Sequence, residues 1–134
     1  MSISHFDPSA GKSLSPERLQ RLLRAAEALD EPDFGLSDAE VAEFAALARH
    51  QPRKDGPDWS AVTDLDDAAV IALVRLFTLG EARLPGWESG DRNPVVPLVA
   101  LLKARGTLPD DLNGWIRANT DNRFLPHGNL MDRL

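Results

Sequence analysis

The chain has no cysteine, no tyrosine, two methionines and three lysines among its 134 residues. Without cysteine there is no disulfide, no thiolate metal site and no thiol nucleophile. Long apolar runs are missing too. The longest, Ala68 to Leu79, is broken by Arg75 and falls short of the ~20 residues that span a bilayer. Met1 to Ser15 is polar and lacks the apolar stretch of a signal peptide, so a soluble cytoplasmic protein is expected. Arginine replaces lysine almost throughout and alanine and leucine abound, a coding bias that suggests a GC-rich, bacterial-type source.

Positive charge is scarce where it would matter for polyanions. Residues 1–67 hold 7 basic against 14 acidic side chains, whereas residues 68–134 hold 8 against 7. Non-specific binding to nucleic acid or to an anionic membrane needs a positive footprint, and an acidic front half opposes one.

What is present is helical. The 43% hydrophobic and 27% charged fractions suit a soluble globular chain, and the length suits one domain. Residues 1–14 read as a flexible N-terminal segment and residues 15–134 as a single helical domain. Ser15-Pro16 supplies an N-cap and a first-turn proline. Leu19, Leu22, Leu23, Ala26 and Leu29 then follow in one apolar stripe, with Arg18, Arg21 and Arg24 on the opposite side as a solvated face. Ser37-Asp38-Ala39-Glu40 has the spacing of a capping box. Gln51 to Ser60 reads as a turn-rich loop anchored by Trp59. Asp64 is expected to cap a third helix over 65–84, apolar around most of its circumference and therefore central. Arg75, its one mid-helix charge, either snorkels at a seam or meets a carboxylate such as Asp121 or Asp132. Asn93-Pro94 opens a fourth helix that stops at Gly106, and Pro109-Asp110-Asp111 opens a fifth. With no period-two alternation, the expected fold is an all-α, compact single-domain bundle of about five helices. An irregular C-terminal segment is expected to dock on the central helix.

Motifs for chemistry are few. Ala10-Gly11-Lys12-Ser13 imitates the end of a phosphate-binding loop, but the glycine required five residues earlier is Phe6 and no strand precedes it. The histidines His5, His50 and His127 are far apart and lack metal spacing. His127 with Asp121 or Asp132 could form an acid–base pair, which makes a small-molecule binder or enzyme around His127 one alternative. A helix-turn-helix-like nucleic-acid binder over 98–123 is another, with Asn113, Arg117 and Asn119 as base readers. Asp110 and Asp111 sit where such a helix would approach phosphate and oppose it. No cofactor or metal is expected.

Asn119 to Leu134 combines Asn, Asp, Arg and His with apolar anchors, which fits neither a regular helix nor a disordered tail. Arginine and tryptophan are favoured anchors of protein interfaces. The leading expectation is therefore an acidic protein-binding or regulatory module without catalytic activity. Its partner would be another protein, met by Trp87, Arg92, Arg117, Asn119, Asn122, Arg123 and His127. Trp87 supplies a criterion: exposed, it belongs to an interface; buried, it belongs to the core.

Overall fold

A computed structural model describes residues 14–49, 57–122 and 124–126. Six α-helices run through them: α1 (Pro16–Ala26), α2 (Asp38–Ala48), α3 (Pro57–Thr63), α4 (Asp67–Arg83), α5 (Val95–Arg105) and α6 (Leu112–Ala118). A short 3-10 turn, Gly90–Arg92, precedes α5, and no strand occurs among the described residues.

Local chemistry sets most boundaries. The Ser15 hydroxyl accepts from the Arg18 amide at 3.3 Å and opens α1. At α2 the capping box closes in both directions: the Glu40 amide donates to Ser37 Oγ at 3.2 Å, and the Ser37 amide to Glu40 Oε1 at 3.1 Å. Asn93 Oδ1 accepts from the Val95 amide at 2.8 Å, so the Asn-Pro pair starts α5 as its sequence implies. Gly106 ends α5 in the left-handed region at φ 74°, which costs glycine no Cβ clash.

Two boundaries differ from expectation. The residues after Gly56 form a helix, α3, rather than the last part of a loop, because Pro57 stands at a first helical position where its missing N–H costs nothing. The N-cap of the central helix is Asp66, not Asp64; Asp66 Oδ1 accepts from the Ala69 amide at 2.9 Å. Asp64 follows the end of α3 instead.

The core gathers on α4, which packs mainly against α1 and α5. Val70, Leu73, Val74, Leu76 and Phe77 of α4 meet Leu19 and Leu22 of α1, Phe44 of α2, and Leu98, Val99 and Leu102 of α5 in one cluster. Polar ties at both ends make α4 and α5 antiparallel. Arg105, ending α5, donates to Asp67 Oδ1 at 2.9 Å, and Asn93, just before α5, donates to Glu81 near the end of α4. Arg18 and Arg21 lash α1 to α2: Arg21 meets Glu43 at 3.0 Å and Glu40 at 3.2 Å, and Arg18 meets Glu43 at 3.3 Å. Two of the three arginines on the solvated face of α1 thus find acids on α2. Phe34, in the connector, adopts the left-handed region at φ 57°. That conformation costs about 1–3 kcal/mol and is offset by burying the ring to 1% exposure beneath the Arg83 guanidinium.

Candidate functional site

The residues expected to form a contact surface do three different jobs. Trp87 is 1% exposed. Its indole N–H donates to the Val41 carbonyl at 2.9 Å, and its ring lies 5.8 Å from that of Phe77. By the criterion above it belongs to the core, where it ties the post-α4 loop to the start of α2. Asn122 is a clamp. Its amide donates to Glu81 Oε2 at 3.0 Å and to the Gly90 carbonyl at 2.8 Å, while its Oδ1 accepts from the Phe124 amide at 2.9 Å. Asn119 donates to the Trp115 carbonyl at 2.8 Å and closes the end of α6. Arg92 and Arg117 are exposed. Arg123 and His127 lie outside the described residues, as do His5, His50, Asp132 and the phosphate-loop imitation at 10–13, so the His127 pairing is not among the described contacts.

The clamp at Asn122 encloses a titratable group that periodicity did not single out. Glu81 is half-buried and takes hydrogen bonds from both Asn93 and Asn122. Burial pushes its carboxyl above the ordinary value of 4.5; the two amides pull it down and the nearby Glu88 carboxylate adds a small upward push. The arrangement joins α4, the 3-10 turn and the C-terminal segment, which is structural work. Both amide hydrogens of Asn122 and its oxygen have partners, in other elements or in its own turn.

A cleft of about 330 Å³ opens beside α1, lined by Arg21, Arg24, Ala28, Glu31, Phe34 and Glu40 among others. Arg21 and Glu40 in its wall are already bonded to each other. Glu40 is held below the ordinary carboxylate value first by the Ser37 backbone N–H and then by Arg21, and Glu43 first by Arg21. These charges serve the α1–α2 joint. Among the described residues no group of His, Asp and Glu has the makings of a metal site.

The nucleic-acid outline fares no better at the residue level. α6 is seven residues long, Asn119 is used on Trp115, and Asn113 is half-buried. Of the three expected base readers only Arg117 stands exposed.

The outward side of α4 is different in kind. Ala68, Arg75 and Ala82 are exposed, Ile71 and Ala72 half-buried, and Leu79 lies at the margin with 9% exposure. These positions share one arc of the helix at i, i+3/i+4 spacing. Charged side chains normally fill such an arc, yet this one carries a single charge at its midpoint. The Arg75 guanidinium lies 5.7 Å from the centre of the half-buried Trp115 ring of α6. Arg75 thus takes the solvent-facing course rather than the buried ion pair, and its immediate neighbour is an aromatic face. Sequence periodicity could not reveal this arc. α4 is apolar on nearly every side, so nothing in its pattern says which side neighbours leave bare. Among the described residues no helix is long and apolar enough to cross a membrane. Comparison of the chain with protein-family models, with curated proteins and with solved structures found no match.

Proposed function

We propose that the chain is a non-catalytic protein-binding module whose contact face is the outward arc of α4 together with Trp115 and Arg117 of α6. The carrying observation is the outward side of the central helix, where Ala68 and Ala82 are exposed, Ile71 and Ala72 are half-buried, and the one charge, Arg75, lies over the Trp115 ring. A solvated face gains nothing from that composition, whereas a face that is desolvated in a complex gains from each apolar group removed from water. Arginine on an aromatic ring is also the chemistry of interface anchors, because its planar, delocalised charge is weakly hydrated and tolerates partial desolvation.

The test is affinity capture with nuclease treatment, run in parallel on the unaltered chain, Ile71→Glu and Trp115→Ala. A protein partner retained by the unaltered chain and lost by both variants, whose circular dichroism stays helical, is the expected outcome. Retention by Ile71→Glu would move the contact elsewhere, and loss on nuclease treatment alone would return the nucleic-acid reading.

A further inference from the structure

We infer that Asn113-Gly114 is a self-modification site. In the folded chain the Asn113 side chain cyclises onto the Gly114 nitrogen and then opens to aspartate or isoaspartate. The site is independent of the binding role just proposed.

An asparagine cyclises where the next backbone nitrogen can reach its side-chain carbonyl carbon. The five-membered ring that forms crowds any side chain on that next residue. The residues following the five asparagines of the chain are Pro94, Gly114, Thr120, Arg123 and Leu130. Proline has no N–H to give up, and the other three carry a Cβ. Only Gly114 escapes both obstacles. A Cβ built on it would meet nothing within 4 Å, so the space beside the bond is open as well.

A regular helix protects such a pair by hydrogen-bonding the attacking amide. Gly114 is the third helical residue of α6, the position whose amide is held by a cap at three other helices. Ser15 holds the Arg18 amide at 3.3 Å, Ser37 holds that of Glu40 at 3.2 Å, and Asp66 holds that of Ala69 at 2.9 Å. Asp111 makes no such bond, and its backbone is helical (φ −92°, ψ −6°) where those caps are extended. The backbone bonds at this turn run from the Leu112 amide to Pro109 at 3.2 Å and from the Trp115 amide to Asp111 at 3.0 Å, and pass Gly114 by. Glycine is also the weakest helix former after proline, so the turn opens locally at low cost.

The chemistry balances with water alone. Hydroxide takes the Gly114 amide proton, the nitrogen bonds to Asn113 Cγ, and the Cγ–Nδ2 bond breaks. Nδ2 leaves as ammonia with a proton from water, which returns the hydroxide. Water then adds to either carbonyl of the ring. Breaking the bond from nitrogen to Cγ leaves aspartate in an unaltered backbone. Breaking the bond from nitrogen to the main-chain carbonyl leaves isoaspartate, whose backbone is longer by a methylene. Either product adds a carboxylate and takes the net charge from −6 to −7. Isoaspartate also shifts the register between Leu112 and Ile116, 2% and 0% exposed, so that product loosens α6 on the core.

The test is timed incubation of the full chain in mildly alkaline buffer made with heavy-oxygen water, read by tryptic mass spectrometry. Trypsin releases residues 106–117, in which Asn113 is the sole asparagine. The expected result is an aspartate and an isoaspartate form of this peptide, each carrying solvent oxygen and formed faster at higher pH. A synthetic peptide of residues 106–117 sets the unprotected rate, and the folded chain should react within about a hundredfold of it. That rate should stay flat in urea below the unfolding transition. Gly114→Ala, which fits the open space, and Asn113→Gln, which cannot close the five-membered ring, should each slow the reaction about tenfold or more. A folded chain slower than that range, a rate that climbs with global unfolding, or unchanged reaction in Gly114→Ala would each overturn the inference.

Discussion

At the scale of single residues, Gly80 against Trp87 is the tightest approach that a Cβ would make at any of the described glycines. A Cβ placed on Gly80 would meet the indole ring, with Cζ3 at 2.7 Å, well inside van der Waals contact. The ring has little room to retreat because it is fully enclosed and its N–H is held by the Val41 carbonyl. Gly80→Ala gains helix propensity, about 1 kcal/mol, but overpacking the enclosed ring should outweigh that and leave a net loss of about 2 kcal/mol. Urea denaturation should show it, and the loss should shrink when Trp87→Leu is introduced as well, because the two changes share one contact. The glycine is unremarkable in sequence: it sits inside a helical pattern, where its absence of a side chain reads as a weakness. Only the neighbour explains it.

At the scale of elements, the joints are polar and the cores of the joints apolar. Arg105 shows why. Its guanidinium donates to Asp67 Oδ1 and to the carbonyls of Thr63 and Leu65, so one side chain of α5 closes the α3–α4 turn at 2.8–2.9 Å. A lysine keeps the charge but cannot point rigid in-plane donors at three separate oxygens. Arg105→Lys is expected to cost about 1 kcal/mol in thermal or urea unfolding, with Arg105→Ala costing more. In sequence Arg105 is only a cation in the last turn before Gly106, where the helix dipole favours one, and nothing local names its partners. The caps were more legible, since Ser15, Ser37, Asn93 and Gly106 act on residues two to four positions away. The α3 boundary and the two-residue shift from Asp64 to Asp66 were not, because several acids in one short stretch all have capping chemistry and only the path of the chain selects among them.

At the scale of the whole molecule, acid should act on this protein in two opposed ways. Glu40 and Glu43 titrate below the ordinary carboxylate value of 4.5. Their contribution is therefore present above that value and lost as pH falls through their lowered folded pKa. Glu81 titrates above it, so its folded state favours the proton; that advantage is complete below pH 4.5 and is lost as pH rises through its raised folded pKa. Stability measured against pH should show Glu81→Gln gaining on the unaltered chain as pH rises from about 4 to 7, since the amide never carries the buried charge and still offers an oxygen to Asn93 and Asn122. Glu43→Gln should show the reverse slope, its deficit closing as pH falls below 4.5. Parallel curves for both variants would mean that neither carboxyl is perturbed by folding. What the sequence determined by itself was helicity, the caps of α1, α2 and α5, the apolar stripes and the central rank of α4, because each rests on residues within a turn or two of one another. The tertiary structure decided what periodicity is blind to. It turned Trp87 inward and made Asn122 a clamp on Glu81, and it gave Arg18 and Arg21 of α1 their acids on α2. It also left Ala68, Arg75 and Ala82 of α4 exposed, because which side of an all-round apolar helix meets water depends on where its neighbours pack and not on the helix itself.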